Sequence, residues 1–158
     1  MEMNVTRRTV LRGAGSLGAL SALVATGALK PTAVYAAEWN KAAFEAKDTA
    51  GALKGIGAGS PADNQHLTIK VPDIAENGAV VPVDVISTIP NTSAISILVE
   101  KNPQPLSAHF EFANGALPEV SARLKMGQTS LVKAVAKADG KFYTAQKEVK
   151  VTVGGCGG

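Results

Sequence analysis

Residues 66–89 read HLTIKVPDIAENGAVVPVDVISTI, and this stretch decides the fold class. Apolar and polar residues alternate from Leu67 to Val71 and again from Val81 to Val85, with the period of two that is typical of a half-buried β-strand. Pro72 and the dipeptide Asn77-Gly78 lie between the two runs, and Asn-Gly is a strong hairpin signal. The sequence therefore predicts a β-hairpin with strands at residues 66–71 and 79–89.

The rest of the chain continues this pattern of short apolar runs divided by turn residues. Further strands are predicted at residues 94–99, 108–113, 122–126, 130–138 and 141–153. The turn residues between them include Asn102-Pro103-Gln104-Pro105, Asn114-Gly115, Gly127 and Asp139-Gly140. Seven short strands with this punctuation predict an all-β immunoglobulin-like β-sandwich. A β-barrel satisfies the same pattern and stays open as the alternative.

A short helix is predicted before the strands. Residues 38–53 place Trp39, Ala43 and Phe44 at roughly helical spacing, which indicates a helix at the start of the domain. Gly51, Gly55, Gly57 and Gly59 follow at short intervals, and glycines interrupt helical patterns. We therefore expect the helix to end in a glycine-rich loop.

The first 36 residues have the features of an export signal. Arg7 and Arg8 precede an uncharged stretch at residues 13–29, and Val34-Tyr35-Ala36 follows. This order is typical of a twin-arginine signal peptide with a peptidase site. The alternative, a transmembrane anchor, is disfavoured because the stretch is short and rich in Gly and Ala. We expect cleavage after Ala36, a periplasmic location and no membrane association after cleavage.

The charge of the remaining chain gives no sign of a nucleic-acid or lipid partner. The signal holds four of the sixteen basic side chains and one of the thirteen acidic ones, so that twelve of each remain. A balanced surface lacks the basic excess that binds nucleic acid or an anionic membrane. The sequence predicts a sandwich domain at residues 37–153 without a nucleic-acid partner.

The chain ends in a segment that carries one thiol and no other side chain. A strand with alternating residues leads into Gly154, Gly155, Cys156, Gly157 and Gly158. Glycine adds no side-chain bulk and leaves the backbone free, so residues 154–158 are predicted to form a flexible arm that enters narrow channels. Three extended steps from residue 153 carry the cysteine about 10 Å.

The arm offers the thiol no means of activation. No basic side chain lies within it, so we expect the pKa of Cys156 near or above the free value of about 8.5. An enzyme nucleophile needs a base held in hydrogen-bonding reach, which a five-residue tail does not provide. Cys156 is therefore predicted to carry a substrate for other proteins rather than to catalyse a reaction.

The sequence pattern around Cys156 also allows functions other than that of a carrier. The odd cysteine count leaves open a disulfide-linked dimer through Cys156, and a glycine-flanked terminal cysteine also suits an engineered conjugation tail. A copper site from His66, His109, Met126 and Cys156 is disfavoured, because copper sites of the cupredoxin type need a cysteine fixed between strands. The two histidines are expected to be surface or satisfied core residues.

Common cofactor and catalytic motifs are missing from the sequence. The segment from Gly55 to Gly59 resembles a dinucleotide fingerprint only superficially, because it follows a helix instead of a strand. The acidic residues form no paired set for general acid and base chemistry. No metal and no other cofactor is expected.

These residues resemble the SoxY family, the sulfur-carrier subunits of the periplasmic Sox system for thiosulfate oxidation. The resemblance covers the twin-arginine signal, residues 70–78 with 81–83, the turn at residues 102–105 and the terminal Val151-Thr152-Val153-Gly154-Gly155-Cys156-Gly157-Gly158. It implies an immunoglobulin-like sandwich and a heterodimer with a SoxZ-like subunit. A SoxZ-like subunit usually lacks its own signal, which suits an export route for folded proteins.

The resemblance also implies a cycle of partners for Cys156. A c-type cytochrome enzyme joins the thiol oxidatively to thiosulfate, a hydrolase removes the terminal sulfone as sulfate, and a molybdenum enzyme or sulfur storage handles the remaining sulfane. The competing interpretation is an exported β-sandwich interaction module whose cysteine only forms an intermolecular disulfide. Apolar residues such as Ile95, Ile97 and Val99 are candidates for either core or partner interface.

Overall fold

The computed structural model describes residues 40–152 of the 158-residue chain, and within that range β-strands predominate. Two short helices come first: α1 (Lys41–Phe44) and α2 (Thr49–Gly55). The strands are β1 (Ala62–Asp63), β2 (Leu67–Lys70), β3 (Ile74–Ala75), β4 (Val81–Ser87), β5 (Thr92–Val99), β6 (Leu106–Glu111), β7 (Glu119–Leu124), β8 (Ser130–Ala138) and β9 (Lys141–Val151). Neither helix in the described range is long and apolar enough to cross a membrane.

The strands form two sheets, neither of which closes on itself. The larger sheet has the order β1-β9-β8-β5-β6, with β3 pairing with β9 as well, and the smaller sheet has the order β2-β4-β7. The predicted hairpin is confirmed in its pairing, because β2 lies antiparallel to β4 with Leu67 opposite Ser87. The immunoglobulin-like sandwich is confirmed, and the barrel alternative is wrong.

The sandwich core lies between the two sheets. Strand β4 buries Val81, Val83 and Val85 and exposes the residues between them, as the period of two predicts. Ile95 and Ile97 of β5 pack into the same cluster from the larger sheet. Burial of so many branched aliphatic side chains is the main force that holds the sheets together.

The helices cover the outer face of the larger sheet. Ala43 of α1 and Ala52 of α2 pack with Leu98 of β5 and Val135 of β8 in a second apolar cluster. Much of β5 and β8 is therefore buried on both faces, which explains the apolar run from Ile97 to Val99 and the apolar residues 134–136.

The predicted single helix over residues 38–53 is wrong within the described range. Asp48 begins α2, because its Oδ1 accepts a hydrogen bond from the Gly51 N–H at 2.6 Å, so the chain forms two helices. Gly55 is the last residue of α2. A Cβ at this position would lie 2.6 Å from Ala43 Cα, so that a larger residue would not fit. The glycine allows the two helices to approach closely.

Strand boundaries follow the turn residues. Strand β8 has the predicted bounds, and Asp139 and Gly140 adopt φ values of 48° and 74° in the turn to β9, which suits a tight hairpin. Strands β6 and β7 begin two and three residues earlier than predicted. The sequence did not predict the two-residue strands β1 and β3, both of which pair with β9 in parallel.

Candidate functional site

The predicted carrier residue Cys156 and its neighbours Gly154, Gly155, Gly157 and Gly158 lie outside the described residues. The signal peptide at residues 1–36 lies outside them too. The structure does describe the place from which the chain leaves the sandwich, namely the end of β9 at Val151 and Thr152. We call this place the arm root.

A segment that we call the strap, residues 72–78, runs alongside the arm root. Its strand β3 pairs in parallel with β9, with Ile74 opposite Lys150 and Ala75 opposite Val151. The Lys150 N–H donates to the Asp73 carbonyl oxygen at 2.9 Å, and the Thr152 N–H donates to the Ala75 carbonyl oxygen at 3.2 Å. These bonds hold β9 in extended form to the last described residue.

The other side of the arm root rests on the loop between β7 and β8. The Val151 N–H donates to Thr129 Oγ1 at 3.0 Å, and the Met126 N–H donates to the Gly78 carbonyl oxygen at 2.7 Å. A Cβ at Gly78 would lie 2.8 Å from Val151 Cγ1 and even closer to the Met126 carbonyl oxygen. Only glycine fits where the strap, the loop and β9 meet.

An ion pair ties the strap to the body of β9. Lys147 Nζ lies 2.8 Å from Asp73 Oδ1 and donates to the Val71 carbonyl oxygen at 3.1 Å. The hydrogen bond and the charge of Lys147 lower the pKa of Asp73, and the charge of Lys150 adds to this effect. Because the pair is largely exposed, its contribution to stability is small. The ion pair and the hydrogen bond of Lys147 link residues 71 and 73 to β9.

The residues weighed as copper ligands lie in separate environments. Met126 is completely buried in the sandwich core. His66 precedes β2 and pairs with Thr88, whereas His109 in β6 has its Nδ1 2.8 Å from Ser96 Oγ. Residues 40–152 contain no group of three or more His, Cys, Asp or Glu side chains that would hold a metal ion.

The apolar residues that the sequence left between core and interface are core. Ile95, Ile97 and Val99 are completely buried between the sheets. They are therefore not a surface for a partner subunit.

The strap is the part of this site that the sequence does not predict. Its Asn77-Gly78 was interpreted as a hairpin turn, but the connection from β2 to β4 is much longer than two residues and detours to β9. The available signal was the length of residues 71–80, with apolar Ile74 in the middle. A simple hairpin loop has two to five residues.

The two packed sheets of the described residues define a class: a small immunoglobulin-like sandwich. Within that class the chain belongs to the SoxY family of sulfur oxidation proteins, whose family model matches residues 54–156. The solved structure of the sulfur carrier protein SoxY from Chlorobium limicola f thiosulfatophilum is 42% identical, with a TM-score of 0.56. The match covers 63% of this chain and 94% of that one.

Two other solved structures are more distant. An engineered protein is 13% identical with a TM-score of 0.40, over 55% of this chain and 20% of that one. A PKD domain of an M14-like peptidase from a Thermoplasmatales archaeon is 19% identical with a TM-score of 0.38, over 55% of this chain and 93% of that one. Neither likeness carries an argument about function. No curated protein matches the chain.

Proposed function

We propose that this protein is a covalent carrier of sulfur intermediates, held on Cys156 and presented to a series of enzymes in the Sox system. One observation carries the proposal: the family match runs from residue 54 to residue 156, so that its last residue is the single cysteine of the chain. Family membership supports the role of a sulfur carrier, and the sequence offers only one thiol to perform it.

Loading is an oxidation. The Cys156 thiol and thiosulfate lose two electrons and one proton as an S–S bond forms, which gives a cysteine S-thiosulfonate. The electrons need an acceptor, which we assign to the c-type cytochrome enzyme that the family resemblance implies. The arm supplies no base of its own, so that enzyme also supplies the base for the thiol proton.

Unloading begins with hydrolysis. Water attacks the terminal sulfone, the bond between the sulfone sulfur and the sulfane sulfur breaks, and sulfate leaves together with a proton. The sulfane sulfur stays on Cys156 as a persulfide. A further partner, such as the molybdenum enzyme, oxidises that sulfur. Covalent attachment prevents the reactive intermediates from diffusing away between these steps.

The proposal includes a location and a permanent partner. The twin-arginine pattern at Arg7 and Arg8 supports export to the periplasm in a folded state. A SoxZ-like subunit without its own signal would travel with the chain as a heterodimer. The isolated chain is expected to have no enzymatic turnover.

Intact-mass spectrometry tests the proposal most directly. Protein purified from thiosulfate-grown cells should show mass additions on the C-terminal peptide that a reductant removes. A bare thiol together with a simple disulfide dimer would contradict the carrier role. The odd cysteine count favours that second candidate, a cross-linking module, and the same spectrum distinguishes the two.

A further inference from the structure

The strap has an exposed surface as well as a buried one. In residues 40–152 the large apolar side chains that are exposed are Ile74, Val80 and Leu117, with exposed fractions of 57%, 51% and 76%. Ile74 belongs to the strap, and Val80 follows it by two residues. We call residues 74–80, with Ile74 and Val80 as their exposed apolar members, the root surface.

The root surface lies beside the arm root. Ile74 is paired with Lys150, two residues before Thr152, and neighbouring strands are about 4.8 Å apart. Val80 is two residues from Gly78, which packs against Val151 and bonds to Met126. Leu117 lies near the opposite end of β4, since the Pro118 carbonyl oxygen accepts from the Ser87 N–H. The length of β4 separates the two ends by about 20 Å.

The short chain between the arm root and Cys156 limits how far an enzyme that reaches the thiol can be from the root surface. Cys156 is four residues beyond Thr152, so even a fully extended chain places its Cα about 14 Å away at most. An enzyme that shelters its reactive atoms below its own surface uses most of that length for the channel. The rim of the channel must then come within a few Å of the arm root.

We propose that the root surface is the docking site for the rim of the active-site channel in the enzymes that load Cys156. This inference rests on the proposed function. The occupant presents an apolar rim to Ile74 and Val80, because removing these two exposed apolar side chains from water favours the contact. Two half-exposed side chains form a small contact, which suits a carrier that must leave each enzyme after the reaction.

Three single variants of the full mature chain test the proposal. Ile74→Glu and Val80→Glu each place a charge on the root surface, and Leu117→Glu places the same charge on an equally exposed apolar residue at the other end. Each protein is mixed with thiosulfate and with a periplasmic extract of thiosulfate-grown cells, which supplies the loading enzymes. The initial rate of loading at low carrier concentration is followed by intact mass.

We expect Ile74→Glu and Val80→Glu to lower that rate about tenfold, the loss that corresponds to one well-packed interface contact. Leu117→Glu should load at the wild-type rate, and all four proteins should react equally with a small thiol reagent and have similar Tm values. Ile74→Leu, which keeps the apolar surface, should retain normal loading.

Other outcomes overturn the inference. Equal loading of wild type and Ile74→Glu would show that the root surface does not dock enzymes. Loss of heterodimer formation in Ile74→Glu would assign the surface to the partner subunit instead. If the wild-type chain itself acquires no adduct, the proposed function fails, and this result differs from a defect confined to the variants.

Discussion

Strand β5 and the end of β9 are held in place by different forces. The side chains of β5 from residue 94 to residue 99 are all buried: Ile95, Ile97 and Val99 lie between the sheets, and Leu98 packs against the helices. At the end of β9 the Thr152 N–H donates to the Ala75 carbonyl oxygen and the Val151 N–H donates to Thr129 Oγ1. The exposed pair of Asp73 and Lys147 and the partial burial of Val151 add to these bonds. The first region contributes the buried core on which folding depends, and the second fixes the end of β9, from which the proposed carrier arm would extend. Stability and function should therefore respond to different substitutions.

The largest difference between the effect on function and the effect on stability is expected from Cys156→Ser. We predict complete loss of thiosulfate-derived adducts and of thiosulfate-dependent respiration, because no other thiol exists in the chain. The free energy of unfolding should not change, since the residue lies beyond the sandwich strands. Intact mass and thermal unfolding measure the two quantities. A variant that no longer folds would mean that the cysteine is structural.

The opposite result, a loss of stability with normal function, is expected from Ile97→Ala. Ile97 is completely buried in the sandwich core, so its truncation should lower the free energy of unfolding by about 3 kcal/mol. Loading of the folded fraction should remain normal. Ile74→Ala is the matched control, because the same residue type is 57% exposed in β3 and should cost less than about 0.5 kcal/mol. Equal losses in urea unfolding would refute the distinction between the two regions.

Gly78→Ala tests the close packing where the strap, the loop between β7 and β8 and the end of β9 meet. The new methyl group would collide with the Met126 backbone and with Val151, and we expect a loss of about 2 kcal/mol. Gly127→Ala is the control in the same part of the fold, since a Cβ there would have no atom within 4 Å. Similar unfolding curves for the two variants would contradict the close packing at Gly78.

The smallest effect is expected from the exposed ion pair. The hydrogen bond and the charge of Lys147 lower the pKa of Asp73 below its ordinary value, so the pair stabilises the fold at pH values above that ordinary pKa. The contribution is lost as the pH falls through the lower native pKa. Asp73→Asn should therefore lower the Tm slightly at neutral pH and have no effect in strong acid. A difference that persists in acid, or that survives in a Lys147→Met background, would indicate another cause.

The sequence predicted the sandwich well because local signals define most of its strands. The tight turn at Asp139-Gly140 and the glycine at residue 127 bound β8, and alternation identifies β4. The helices were less predictable, because the role of Gly55 is a contact with Ala43 twelve residues earlier. A local pattern cannot distinguish a glycine that ends a helix from one that allows two helices to approach.

The strap was missed for a related reason. Strand β3 has only two residues, and its partners Lys150 and Val151 lie about 76 positions along the chain. No local periodicity can reveal such a pairing. Cys156 and its glycines, by contrast, are predicted from the order of residues 154–158 and from the family resemblance, and they stay a prediction because they lie outside the described residues.

The parallel pairing of β3 with the end of β9 also has a mechanical consequence. A force applied to Cys156 along the axis of β9 would shear the hydrogen bonds that join β9 to β3 and β8. Many of these bonds would then resist the force together. A pull across the sheet would instead break them one after another. The sandwich should therefore resist a pull along the axis of β9 better than a pull across the sheet. Because Cys156 is the only thiol in the chain, it is also a ready attachment point for measuring that resistance with single molecules.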